Sequence, residues 1–205
     1  MRDPAAIAGM ARFGINPKNS LGIGVSHLRA MARRFGRNQM LAEELWATGI
    51  RDARILASLV GDPDVISRSA MDRWARDFDS WDICDACCCN LFDRTPYAWS
   101  KITKWAADRR EFVRRAAFAT LAGLAVHDKV AEDQRFVDML PLIEQYAFDD
   151  RNFARKGVNW ALRNIGKRNS NLRAAAIACA ERIRAQGTRS ARWIAADALR
   201  ELRNR

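Results

Sequence analysis

Apolar residues recur along the chain every three to four positions, in blocks separated by sparse glycine and proline. That spacing belongs to amphipathic helices, not to the alternation of strands. Asn38 stands where a cap belongs, ahead of a helix through Leu41, Leu45 and Trp46 that stops at Gly49. Thr95 followed by Pro96 reads as a second cap with proline at the first helical position, and Ser80 as a third. Further helices are expected near 24–35, 51–60, 64–77, 111–126, 133–147, 151–166, 170–186 and 189–203. No stretch offers convincing strand alternation, so the expected fold class is all-α.

Two of these blocks repeat one another. "EFVRRAAFATLAGL" from Glu111 and "NFARKGVNWALRNI" from Asn152 place Arg114 over Arg155, Arg115 over Lys156 and Leu121 over Leu162, a period of 162 − 121 = 41 residues. A fainter third copy is "SARWIAADALREL", where Arg192 and Leu199 keep the same internal spacing. A helix pair returning at about 40 residues predicts a HEAT-like helical-repeat solenoid with a concave face. Basic residues held in register on that face would follow a phosphate backbone. The same residues could instead pair with acids of a neighbouring repeat, such as Asp108 or Asp149, and the sequence leaves both readings open.

Composition narrows the partners. The chain of 205 residues, 49% hydrophobic, is long enough for one sizeable core or a stacked array. Its 35 basic and 24 acidic residues give a formal charge of +11, a surface that attracts polyanions, nucleic acid first among them. No segment approaches the roughly 18 uninterrupted apolar residues of a membrane span, and Arg12 breaks the apolar run near the N-terminus. A soluble, cytoplasmic protein acting as a monomer is expected.

The stretch "SWDICDACCCNLF", residues 80–92, carries four of the five cysteines. A structural zinc site needs four ligands, and Cys84 and Cys87 have no second pair; Cys179 is isolated, and His27 and His127 lack ligand spacing. A redox CxxC would need a strand-to-helix setting, which is missing. The thiols are therefore expected to be reduced, small apolar packing residues, with no metal and no cofactor. Trp46, Trp74, Trp99, Trp105 and Trp193 fall at spacings expected of core positions. Trp81 and Asp85 differ, because i and i+4 put an indole and a carboxylate on one helix face, a pairing that stabilises a cation. A core tryptophan beside a solvated aspartate is the competing reading.

The order of "LAEELWATGIRDARILASLV", "MDRWARDFDSWDICD", "EFVRRAAFATLA" and "NFARKGVNWALRNIGKRN" resembles the AlkD-type DNA alkylation repair family of HEAT-like DNA glycosylases, over about residues 24–203. The resemblance implies a HEAT-like domain over 24–205, preceded by an N-terminal segment, 1–23, that is helical and packed on the stack. It implies that Trp81 and Asp85 contact the sugar of the damaged nucleotide, that Trp160 closes the site, and that Arg115, or Arg114 beside it, approaches the backbone near the lesion. Arg155, Lys156 and Arg163 are further expected DNA contacts. The chain departs from the family in the short region before Gly24 and in the cysteines beyond Asp85.

The implied activity is excision of cationic alkylated purines, 3-methyladenine and 7-methylguanine, from duplex DNA by hydrolysis of the N-glycosidic bond, through sugar and backbone contacts without base flipping. Two other classes compete. One is a non-enzymatic HEAT-like protein binding damaged or branched DNA, which would gain nothing from a carboxylate facing phosphates. The other is a protein-binding scaffold, which would call for an apolar or mixed groove.

Overall fold

The computed structural model describes residues 2–204, and these fall into two compact units divided between Tyr97 and Ala98. Thirteen α-helices and two short 3-10 turns make up the secondary structure, with no strand among the described residues.

In the first unit, α1 (Pro4–Met10) leads through a 3-10 turn (Ala11–Phe13) into an extended segment. There follow α2 (Val25–Phe35), α3 (Gln39–Ala47), α4 (Arg51–Val60), α5 (Arg68–Arg76) and α6 (Trp81–Asn90), and a second 3-10 turn, Phe92–Arg94. Asn38 caps α3 as its position predicts, its side chain accepting from the Leu41 amide at 2.9 Å. Helix α4 is the hub, packing against α2, α3 and α6. The core is aromatic: Trp46 and Trp74 stack at 4.2 Å, with Phe78 on the edge of Trp46 and Phe92 against Trp74. The indole N–H of Trp46 still reaches Asp77 at 2.9 Å, so the polar end of the ring is satisfied as burial demands.

The second unit holds α7 (Ala98–Ala106), α8 (Glu111–His127), α9 (Asp133–Val137), α10 (Leu140–Gln145), α11 (Asn152–Arg168), α12 (Ser170–Ala185) and α13 (Arg189–Arg203). The 41-residue period is reproduced by the helices themselves: α8 and α11 each run 17 residues and start 152 − 111 = 41 positions apart. They pack side by side, α13 lies against α11, and α7 and α12 pair with these helices as the other halves of their repeats. At Gly166 a Cβ would stand 2.8 Å from the Leu202 methyls, so α11 and α13 approach more closely there than a side chain allows.

The helices α8 and α11 open with the same turn. Asp108 and Arg110, and again Asp149 and Arg151, form an Asp-x-Arg clip in which the arginine forks its own aspartate while its amide donates to the same carboxylate. Neighbouring repeats are then stitched together. Arg151 donates to the Arg109 carbonyl at 2.6 Å, and Glu111 accepts from the Phe153 amide at 2.8 Å.

Several sequence expectations are corrected. The block 133–147 is two helices, because Pro141 has no N–H to give and its ring crowds the carbonyl four residues back; α9 ends at Val137 and α10 begins with Pro141 in its first turn. The block at 64–77 starts at Arg68, where Ser67 caps by accepting from Ala70 at 3.1 Å. Thr95 does not cap α7: its hydroxyl donates to the Phe92 carbonyl at 2.8 Å, closing the preceding 3-10 turn, and helix resumes at Ala98. Ser80 holds the N-cap position of α6 without a side-chain cap bond. Trp193 is not core; it is 37% exposed, with the Arg155 guanidinium 4.9 Å over its ring.

Candidate functional site

In the first unit, Trp81 and Asp85 lie one turn apart near the start of α6, both half-buried. The opposite side of the same helix is packed: Ile83, Cys84, Cys87 and Cys88 are buried, so α6 presents its indole and carboxylate as a consequence of burying its small residues. The Trp81 ring is fixed at its polar end, where Nε1 donates to the Phe13 carbonyl at 2.9 Å. Asp82, between the two, turns inward to the buried Arg51.

The remaining candidates lie in the second unit on α8 and α11, and the structure separates them. Arg114 is committed to its neighbours: it donates to the Asp149 carboxylate and, at 2.8 Å, to the Ala106 carbonyl, and its guanidinium lies 4.7 Å over Tyr146. That is the inter-repeat pairing held open in the sequence. Arg115 is buried, with a donated bond to the Phe153 carbonyl at 2.8 Å. On α11, Arg163 is bound to Asp197 and Glu201, and Arg155 lies over Trp193. Lys156 is exposed and in no ion pair among the described residues, with its ammonium 6.0 Å from the Phe153 ring. Trp160, one turn beyond Lys156, is half-buried.

Electrostatics follow these commitments. Burial alone would push the carboxyls of Asp149 and Asp197 up; hydrogen bonds from Arg151 and Arg114 to the first, and from Asn159 and Arg163 to the second, hold both below the ordinary carboxylate range. Burial pushes the Cys87 thiol well up, and the Cys179 thiol up to about 12. None of the five cysteines forms a disulfide, and among the described residues no three His, Cys, Asp or Glu side chains are placed to hold a metal ion.

The sequence reading passed over the basic run on α2. Arg29, Arg33 and Arg34 stand on α2 and Arg37 just past its end, beyond Gly36, and no acid occurs between Gly24 and Asn38. All four are exposed; Arg29, Arg33 and Arg34 have no ion-pair partner among the described residues, and Arg37 has only a loose contact to Asp64 at 3.9 Å. Arg29, Arg33 and Arg37 border a cavity of about 370 Å³ that Leu59 and Asn90 also line. Arg51, Arg54 and Arg73 of the same unit, by contrast, are paired with acids. The signal available in sequence was the absence of acids around the run.

The family model described as DNA alkylation repair enzyme matches residues 1–202 of the chain. The chain belongs to the DNA alkylation repair family. A solved structure described as a new family of proteins related to the HEAT-like repeat DNA glycosylases, with affinity for branched DNA structures, superposes with a TM-score of 0.77. The match covers 88% of this chain and 77% of that one at 22% identity, which establishes the HEAT-like fold for this member of the DNA alkylation repair family. No curated protein matches the sequence. No helix among the described residues is long and apolar enough to cross a membrane.

Proposed function

We propose that this protein is a DNA glycosylase that releases cationic alkylated purines, such as 3-methyladenine and 7-methylguanine, from duplex DNA, acting as a monomer. The observation that carries the reading is the Trp81–Asp85 pair. An indole and a carboxylate share one part-exposed face of α6, and the bond from Nε1 to the Phe13 carbonyl anchors the polar end of the ring.

Alkylation makes the base cationic, so it leaves with the electron pair of the C1′–N bond and needs no acid. Positive charge then develops on the deoxyribose, as in glycoside hydrolysis. Asp85 held against that ring stabilises the transition state more than the ground state, and it accepts the proton of the water whose oxygen joins C1′. The Trp81 face adds a cation–π contribution of about 0.5 to 2 kcal/mol. Trp160, in the second unit, is a further proposed contact to the DNA. Backbone contacts come from cations with least to give up, namely Lys156 and the arginines of α2; Arg114 and Arg163 would reach a phosphate only by leaving Asp149 and Asp197. Selectivity rests on the leaving ability of the base, without a base-reading pocket or flipping.

A second reading is a DNA binder without chemistry, favoured by the branched-DNA affinity described for the superposing structure and by the unpaired cations of α2. One experiment separates the two: release of 7-methylguanine from methylated duplex by the parent and by Asp85→Asn, beside affinities for a linear duplex and a four-way junction. The glycosylase reading expects release by the parent, a loss of about 10² to 10³ in Asp85→Asn, and unchanged or tighter duplex binding. Absence of release with tight junction binding would hand the function to the second reading. Equal rates for parent and variant would remove Asp85 from the chemistry.

A further inference from the structure

The N-terminal segment that the sequence left outside the recognisable domain is bound to the start of α6 by a buried polar network. Asp52 accepts from the Leu21 amide at 2.7 Å, the Ile23 amide at 2.8 Å and the Ser20 hydroxyl at 2.9 Å. Arg51 is held by Asp82 through both Nε and a terminal nitrogen, and touches Asp52 at 3.4 Å; its own amide donates to the Asn19 carbonyl at 2.9 Å. The Ser80 hydroxyl donates to Asp82 and accepts from the Asn16 amide, and the Asn16 side chain donates to Asp79 at 2.7 Å. Upstream, Gly14 turns the chain with φ of 67°, a conformation that suits glycine, and the Phe13 carbonyl just before it receives the Trp81 indole.

Arg51, Asp52, Ser20 and Ser80 are all buried. Buried charge networks add little net stability, because desolvation offsets the Coulomb gain; what a satisfied network does supply is a single geometry. Here the geometry supplied is the path of residues 13–23 relative to the first turn of α6, hence the position of the one carbonyl that fixes the Trp81 ring.

We propose that residues 13–23 form a positioning strap for Trp81, and that Asn16, Arg51 and Asp82 are positioning residues acting on the reaction through that indole. The proposal rests on the glycosylase reading for its kinetic consequence, though not for its structural one. None of the three touches substrate; each keeps the strap, and so the Phe13 carbonyl, in place. Asn16 is the most accessible handle, since its side-chain bond to Asp79 is exposed and its loss leaves the buried charges intact.

The test uses the full chain with Asn16→Ala, Asp82→Asn and Trp81→Phe, singly and combined, and two readouts. The first is solvent exchange of the Trp81 indole proton by NMR, its resonance assigned by its disappearance in Trp81→Phe. The second is release of 7-methylguanine from methylated duplex, resolved into a saturating rate and a half-saturating enzyme concentration. Indole exchange is expected to speed up about tenfold in Asn16→Ala and more in Asp82→Asn; the saturating rate should fall about tenfold or more, because small displacements of a positioned group act on rate, while half-saturation moves less than about threefold. In the Trp81→Phe background neither substitution should cost further rate, the mark of two residues acting through one. The strap is overturned if the parent indole proton is unprotected, if both variants leave its exchange unchanged, or if rate losses add independently to that of Trp81→Phe. Should the parent release no base, the glycosylase reading falls and the exchange readout alone decides the strap; should Asp82→Asn fail to fold, Asn16→Ala decides both.

Discussion

Asp149→Ala and Asp108→Ala are the same substitution at equivalent positions of two repeats, and the structure assigns them different costs. Asp149 is buried and receives four hydrogen bonds, three from Arg151 and one from Arg114, whose own side chain is mostly buried. Removing the carboxylate strands the Arg114 guanidinium in the interior, a class of change that costs about 3 to 5 kcal/mol. For a chain of this length that is a fall of about 6 to 20 °C in melting temperature. Asp108 receives three bonds, all from Arg110, at the surface, so its loss should cost no more than about 1 kcal/mol. Thermal and urea unfolding of both variants at neutral pH give the comparison, with circular dichroism as the probe. Because the folded Asp149 carboxyl is held low, its contribution is present above the ordinary carboxylate range and lost as pH falls through the folded value; the parent should destabilise on acidification, and the difference between parent and Asp149→Ala should shrink there. Equal losses from the two substitutions, or a gap that stays constant into acid, would refute the argument that burial and the Arg114 link set the cost.

Duplex affinity should fall steeply with salt, and Arg29→Ala, Arg33→Ala and Lys156→Ala should each flatten the log–log slope by about 0.9, whereas Arg163→Ala, whose guanidinium is already bound to Asp197 and Glu201, should leave it nearly unchanged. Purified protein should contain no stoichiometric zinc by elemental analysis; about one zinc per chain, lost on Cys→Ser changes in α6, would overturn the reading of the cysteines as packing residues.

Some of this was legible in the sequence because it is local or periodic. Helices α4 and α13 keep the expected bounds, Asn38 caps where a cap was expected, and α8 and α11 display the 41-residue period in their own ends. Pro141 gave a local warning that the apolar spacing around it outweighed. Other features needed the third dimension. Arg114 and Arg115 are adjacent in sequence and equivalent in composition, and only the arrival of Asp149 beside one of them tells them apart. Trp193 has helical core spacing, yet its ring lies under Arg155 at the surface. The strap is held by hydrogen bonds between residues about 30 to 68 positions apart, and no periodicity records such contacts.

The buried cysteines have a practical consequence, because a thiol attacks a reagent only as thiolate and only when reached. Cys84, Cys87 and Cys88 lie inside the first unit and Cys179 inside the second, while the half-buried Cys89 sets the background of immediate labelling. Each unit thus contains its own chemical clock. Following alkylation cysteine by cysteine with mass spectrometry times the opening of one unit independently of the other, without any introduced label, and a strand of DNA that steadies only one of them will slow only that unit's clock.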